Sequence, residues 1–152
     1  MRGVFKATGT IAAVTTKFTF CTLTTVTNPI EILSARVTAQ DEDTSEQMFI
    51  ELNRANGSGT GTTKTPRPLE EGSAAATTTS KHTITTVNEP TYDAIDYAIA
   101  AGGANKLAGW EYVPMPEERA IVKAADSVGL RLVDDVVNQT DFTYEITFRE
   151  IG

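Results

Sequence analysis

Phe142-Thr143-Tyr144-Glu145-Ile146-Thr147-Phe148-Arg149 is the stretch on which the fold turns. Its aromatic and aliphatic side chains fall at every second position, with polar ones between. A period of two places one set on each face of a β-strand, so the run predicts an apolar face turned inward and a Thr/Glu/Arg face turned to solvent. Working back along the chain, Phe18, Phe20, Leu23 and Val26 mingle with Thr19, Thr22 and Thr24 in a second β-rich stretch, which Asn28-Pro29 closes because Pro lacks an N–H. Residues 30–38 read as a strand with Leu33, Ala35 and Val37 on one side, and 47–54 as another carrying Met48, Ile50 and Leu52. Further strands are expected at 4–14, 77–87, 110–113, 119–123 and 130–137. Thr fills about one position in six, and a β-branched side chain, stiff at χ1, suits a pleated surface better than a helix. About eight or nine short strands with turn-rich connections predict an all-β, antiparallel β-sandwich or jelly roll.

Two segments break the rhythm. Residues 56–73 hold Gly57, Gly59, Gly61, Gly72, Pro66 and Pro68 and read as a long loop of the kind that serves as a functional arm. In 91–101, Tyr92, Ile95 and Ile99 stand at helical spacing among alanines, and Gly102-Gly103 would end the turn, so one short helix is expected there. The length of 152 residues suits a single β-rich domain over 1–152, burying about 70% of the surface of its unfolded chain.

Composition narrows the chemistry. Thirteen basic against twenty acidic residues give a net charge of −7. Nucleic-acid binding and docking on anionic membranes both need a basic face, so neither is expected. One Cys (Cys21) and one His (His82) allow no intramolecular disulfide and no Cys/His zinc site, and leave any imidazole-dependent catalysis a single candidate. The opening residues carry no apolar run of signal-peptide length, and no stretch approaches the roughly 20 apolar residues of a membrane span, so a soluble protein is expected.

The remaining motifs yield to bland readings. Gly57-Ser58-Gly59-Thr60-Gly61-Thr62-Thr63-Lys64-Thr65 looks like a phosphate loop, but Thr63 rather than Gly precedes Lys64, and Pro66 and Pro68 bar the helix that must follow. Asp41-Glu42-Asp43-Thr44-Ser45-Glu46 lacks the Gly and flanking helices of a calcium loop and reads as a solvated acidic turn. Glu117-Glu118 and Asp134-Asp135 are neighbours whose side chains point to opposite faces of a strand, so neither pair is a glycosidase dyad by itself, and nothing singles out a dyad made of one from each. His82 is expected on the surface, and Cys21 as a small buried hydrophobe. No catalytic, cofactor-binding or metal-ligating residue is assigned, and a non-enzymatic protein is expected.

What stands out is Gly109-Trp110-Glu111-Tyr112-Val113-Pro114-Met115-Pro116-Glu117-Glu118, with the only Trp and a Met among prolines. Aromatics and Met favour interface centres, although Trp110 would serve equally well as a core anchor. Together with Gly59-Thr60-Gly61-Thr62, Thr65-Pro66-Arg67-Pro68-Leu69, Gly72-Ser73-Ala74-Ala75 and Glu89-Pro90-Thr91-Tyr92, this stretch resembles small virion structural proteins of tailed bacteriophages. In size and style it is most similar to head decoration (cement) proteins. The resemblance covers about the middle half of the chain and rests on loop punctuation, so it carries over no family site residues. It implies a β-rich, often trimeric protein on the outer surface of an icosahedral capsid, made in the host cytoplasm, with itself and the major capsid protein as partners and no cofactor. The interface residues expected are Trp110, Tyr112, Pro114, Met115 and Pro116, with Thr65, Pro66, Arg67, Pro68 and Leu69. The alternatives are a tail- or fibre-associated virion protein, and a carbohydrate-binding module or small glycosidase centred on Trp110 and Tyr112.

Overall fold

The computed structural model describes residues 3–40, 46–55, 57–86, 98–105 and 108–152. Within them the chain forms twelve strands and one turn of 3-10 helix, Pro116–Glu118: β1 (Gly3–Val14), β2 (Phe18–Thr24), β3 (Ile30–Gln40), β4 (Met48–Ala55), β5 (Thr60–Lys64), β6 (Arg67–Pro68), β7 (Thr79–Thr86), β8 (Ala98–Ala104), β9 (Trp110–Tyr112), β10 (Ile121–Val122), β11 (Ser127–Leu132) and β12 (Thr140–Glu150). All pairings are antiparallel, in two six-stranded sheets. The first runs β10-β3-β12-β1-β6, with β9 also on β3. The second runs β5-β7-β2-β11-β4-β8.

The pairing is nested. β1 meets β12, β2 meets β11, β3 meets β9 and β10, and β4 meets β8, with successive pairs falling in alternate sheets. That order is the jelly roll, a long hairpin rolled so that its halves face each other. The hairpin β5–β7 and the two-residue β6 are inserted between β4 and β8 and widen the sheets at one side.

β12 lies in the middle of the first sheet and its alternation behaves as its sequence dictates. Phe142, Tyr144, Ile146 and Phe148 are buried, while Asp141 and Thr143 are exposed; Thr147, expected on the solvent face, is buried as well, beside the register shift in the β12–β3 ladder between Thr147 and Phe148. Phe20 reaches across from β2 to meet Phe142 edge-to-face (ring centroids 5.1 Å apart) and Tyr144 at a tilt (5.5 Å), and Phe5 stacks on Phe148 at 5.7 Å. These rings join Leu23, Ile30, Ile32, Ile50, Leu52, Leu130 and Leu132 in one apolar cluster between the sheets. Each such side chain contributes about 1.5–3 kcal/mol by leaving water.

Several expectations need correcting. The strands number twelve rather than eight or nine. Residues 98–101 of the expected helix belong to β8, which pairs along β4 from Met48↔Ala104 to Asn53↔Ala98, while 87–97 lie outside the described residues. Small side chains permit a helix, but here Gly102 lets the sheet approach the Trp110 ring, where a Cβ would stand 3.1 Å from Cδ1. The expected loop 56–73 contains β5 and β6. The strand expected at 130–137 is β11, which begins earlier and stops at Leu132, and only Ile121–Val122 of 119–123 is strand. Residues 41–45 of the acidic turn lie outside the described residues.

Candidate functional site

The chain's one imidazole is the natural place to look for chemistry. His82 sits on β7 with Ser80 and Ile84 at the neighbouring inward positions, so the period of two turns it into the sandwich and not, as expected, to the surface. It is only 2% exposed. Nδ1 lies 2.8 Å from the Tyr144 hydroxyl on β12, and Nε2 lies 3.1 Å from the Ser80 hydroxyl. Ser80 in turn donates to the Lys64 carbonyl at 2.6 Å. A serine hydroxyl has one proton to give, so Ser80 accepts from His82 Nε2–H, and Nδ1 accepts from Tyr144 O–H. The result is a one-directional relay, Tyr144 to His82 to Ser80 to Lys64, that joins the two sheets through their interior.

Protonation breaks this order, because both imidazole nitrogens would then be donors and Nδ1–H would face a hydroxyl that must turn round. Burial is the main cause, and the nearby Lys64 charge a second one, that lowers His82 to about 4. Burial also pushes the Tyr144 phenol up from its usual value, and raises the Cys21 thiol to about 12 despite the opposing Lys64 charge. Ser80 is 1% exposed, Tyr144 2% and Cys21 fully buried. The serine proton is committed to a carbonyl and all three side chains are buried, so the Ser–His–Tyr set forms a polar tie between the sheets. Gly9, opposite Tyr144 in the β1–β12 ladder, makes room for it: a Cβ there would stand 2.4 Å from the phenol oxygen.

A second interior tie closes the end of the sandwich. Glu150 continues the inward series of β12 and is fully buried. Its Oε1 accepts from the backbone N–H groups of Thr77 and Thr78, each at 2.7 Å, and from their hydroxyls at 3.0 and 2.9 Å. This fastens β12 of one sheet to the turn that enters β7 of the other. The sequence reading passed over Glu150, although the alternation 142, 144, 146, 148, 150 points to an inward carboxylate.

The expected interface residues fall into two groups that the fold keeps apart. Trp110 to Pro116 follow β9 on the β3 side of the first sheet, and Thr65 to Leu69 surround β6 on the β1 side. Four strand spacings separate those edges, about 19 Å. Trp110, 5% exposed, belongs to the core cluster, and Pro66 is also buried, so neither presents a side chain at the surface. Tyr112 and Pro114 are half-buried, with the Tyr112 hydroxyl donating to the Glu118 carbonyl at 3.4 Å. Met115 (65% exposed) and Pro116 are open to solvent, as are Thr65, Arg67 and Leu69, while Pro68 is half-buried.

The β9–β10 edge gathers further apolar side chains that the sequence reading did not single out. β9 and β10 lie end to end along β3, at Ala35 to Val37 and at Ile30 to Glu31. Val113 (62% exposed), Met115, Ile121 and Ile151 all stand out along that rim. Ile121 and Ile151 line a groove of about 460 Å³ with Glu31, Arg149, Glu150 and Gly152. At its floor Glu31 is ion-paired with Arg149 and, at 3.6 Å, with Arg119. The signal for this rim is tertiary: only the meeting of β9, β10 and the end of β12 brings these residues together. No family model, curated protein or solved structure matches the chain.

Proposed function

We propose that the chain is a non-enzymatic virion structural protein of a tailed bacteriophage, which self-associates and braces the outer surface of the capsid by binding the major capsid protein. The observation that carries this reading is the apolar rim of Val113, Met115, Ile121 and Ile151 on the β9–β10 edge. Exposed apolar side chains gathered on one edge favour a docking surface over solvent. The reactive side chains His82, Ser80 and Tyr144 are instead tied to one another between the sheets, and Cys21 is packed in the apolar core. The jelly roll is an architecture that viral capsid proteins use, although it serves lectins too and so lends support without deciding the matter. The net charge of −7 favours an outward station over one facing packaged DNA. Burial of Trp110 leaves half-buried Tyr112 as the remaining aromatic of the carbohydrate-binding alternative, which favours the docking reading over it.

The test is co-assembly with the major capsid protein encoded in the same genome, followed by sedimentation and thermal melting of the heads. The protein should co-sediment with heads and raise their melting temperature, and Val113→Ser with Met115→Ser should abolish both effects without altering the fold. Failure to associate at tens of micromolar, immunogold label on tails alone, or substrate turnover dependent on an acidic residue would overturn it.

A further inference from the structure

Among the described residues, the outer edge of β1 is open along most of its length. β6 meets β1 only at Phe5 and Lys6, and just beyond them the Leu69 N–H donates to the Val4 carbonyl at 2.9 Å. In an antiparallel strand alternate residues turn both N–H and C=O to the same side. Since Val4 faces β6, Thr8, Thr10 and Ala12 direct theirs to that side as well. Among the described residues no backbone group meets them, and all three are exposed. At the far end the β1–β12 ladder shifts register between Ile11 and Val14, where Ala13 takes φ 56°. The free lane therefore runs over residues 7–13, and its midpoint is Thr10. Exposed strand edges are normally guarded by charge, proline or a cover. From Ala7 through Thr16 this chain has neither a charged residue nor a proline.

We propose that a second copy of the chain fills this lane, β1 pairing antiparallel with the partner's β1 across a two-fold axis at Thr10. That register sets Thr10 against the partner's Thr10 and Thr8 against the partner's Ala12, so each outward N–H and C=O in the lane gains a counterpart. Thr–Thr pairs across strands are favourable. The occupant follows from charge and symmetry. Two copies each carrying −7 repel wherever acidic surfaces meet, and this neutral lane, self-complementary about a two-fold axis, lets them approach without opposing like charges. The bend at Ala13 turns each strand aside before it would reach the other copy's β6. Leu69, 55% exposed at one end of the lane, adds apolar area to the contact. The inference rests on the self-association within the proposed function and is independent of the capsid contact, which lies on the opposite edge.

Light scattering on the purified full chain should give twice 16.3 kDa at micromolar concentration. Thr8→Lys with Thr10→Lys sets like charges across the axis and should raise the dimer Kd at least ten-fold with the monomer still folded by circular dichroism. Paired residues of this type have Cα atoms about 5.5 Å apart, within disulfide reach. Thr10→Cys should therefore cross-link quantitatively in oxidised glutathione, whereas Val26→Cys, 56% exposed in the connection between β2 and β3 at the other end of the sandwich, should not. A monomer at 100 μM, a trimer, or a dimer that neither the double-lysine variant nor the Thr10→Cys cross-link reports at β1 would overturn the pairing. Heads that still bind a monomer would sink this inference alone, and a β1 dimer that ignores heads would sink only the capsid reading.

Discussion

Lowering the pH from 7 to 5 should destabilise this protein through a single side chain. His82 has a folded-state pKa of about 4 against 6.5 in the unfolded chain. Because the folded value is depressed, the unfolded chain takes up the proton first. Stability is complete above the unfolded value, falls as pH drops below it, and levels off near 4, where the folded form is protonated too. Linkage between those two values gives a loss of about 2 kcal/mol from pH 7 to pH 5. For a domain of this length that lowers Tm by about 4–8 °C. The window is clean, since His82 is the only histidine and carboxylates ordinarily titrate below it. The assay is a series of thermal melts by circular dichroism at half-unit pH steps, on the wild-type chain and on His82→Gln. The variant should melt lower at pH 7, having lost the tie to Tyr144 and Ser80, yet its Tm should be flat down to pH 5. A wild-type Tm that does not move, or a variant that falls with the same slope, would refute the buried, neutral relay.

Other outcomes follow from the same interior. Gly9→Ala drives a methyl into the Tyr144 phenol and should cost about 3 kcal/mol in urea unfolding, part of which Tyr144→Phe in the same chain should restore by removing the oxygen it strikes. Glu150→Ala leaves the Thr77 and Thr78 N–H groups without their acceptor and should cost about 3 kcal/mol by the same measurement, with local hydrogen exchange fastest at the start of β7. Cys21, buried with its thiol raised to about 12, should react with a thiol reagent at pH 8 only as fast as the chain unfolds globally.

The legible part of the fold was the part governed by local period. β12 is centred in its sheet with aromatic rings inward, as its alternation dictates, and Cys21 is the small buried hydrophobe its neighbours indicate. The same rule applied to β7 groups His82 with Ile84 and turns it inward, but the polar company of Thr and Lys masked the pattern, because Ser80 and His82 satisfy each other inside. β8 was illegible for another reason. Ala98-Ile99-Ala100-Ala101-Gly102-Gly103-Ala104 has no side-chain signal for a strand, and its state is set by the open edge of β4 and by the Trp110 ring lying over Gly102. β5 and β6 are likewise strands because β7 and β1 offer them edges, whatever their glycines and prolines prefer. The apolar rim needed β9, β10 and the end of β12 to meet, and no run of sequence contains all three.

The nested pairing has a consequence for how the polypeptide is made. Gly3 is partnered with Glu150, so β1, which is synthesised before the other strands of the fold, waits for β12 before its main ladder can form. The second sheet waits too, because β11 stands between β2 and β4. At about 5–20 residues per second, β1 and β2 spend several seconds tethered before β12 and β11 arrive to complete their pairing. Closure of so wide a loop makes folding slow for a chain of this size. The Thr-rich composition keeps those waiting strands wettable, a property that matters to a nascent chain more than to the finished one.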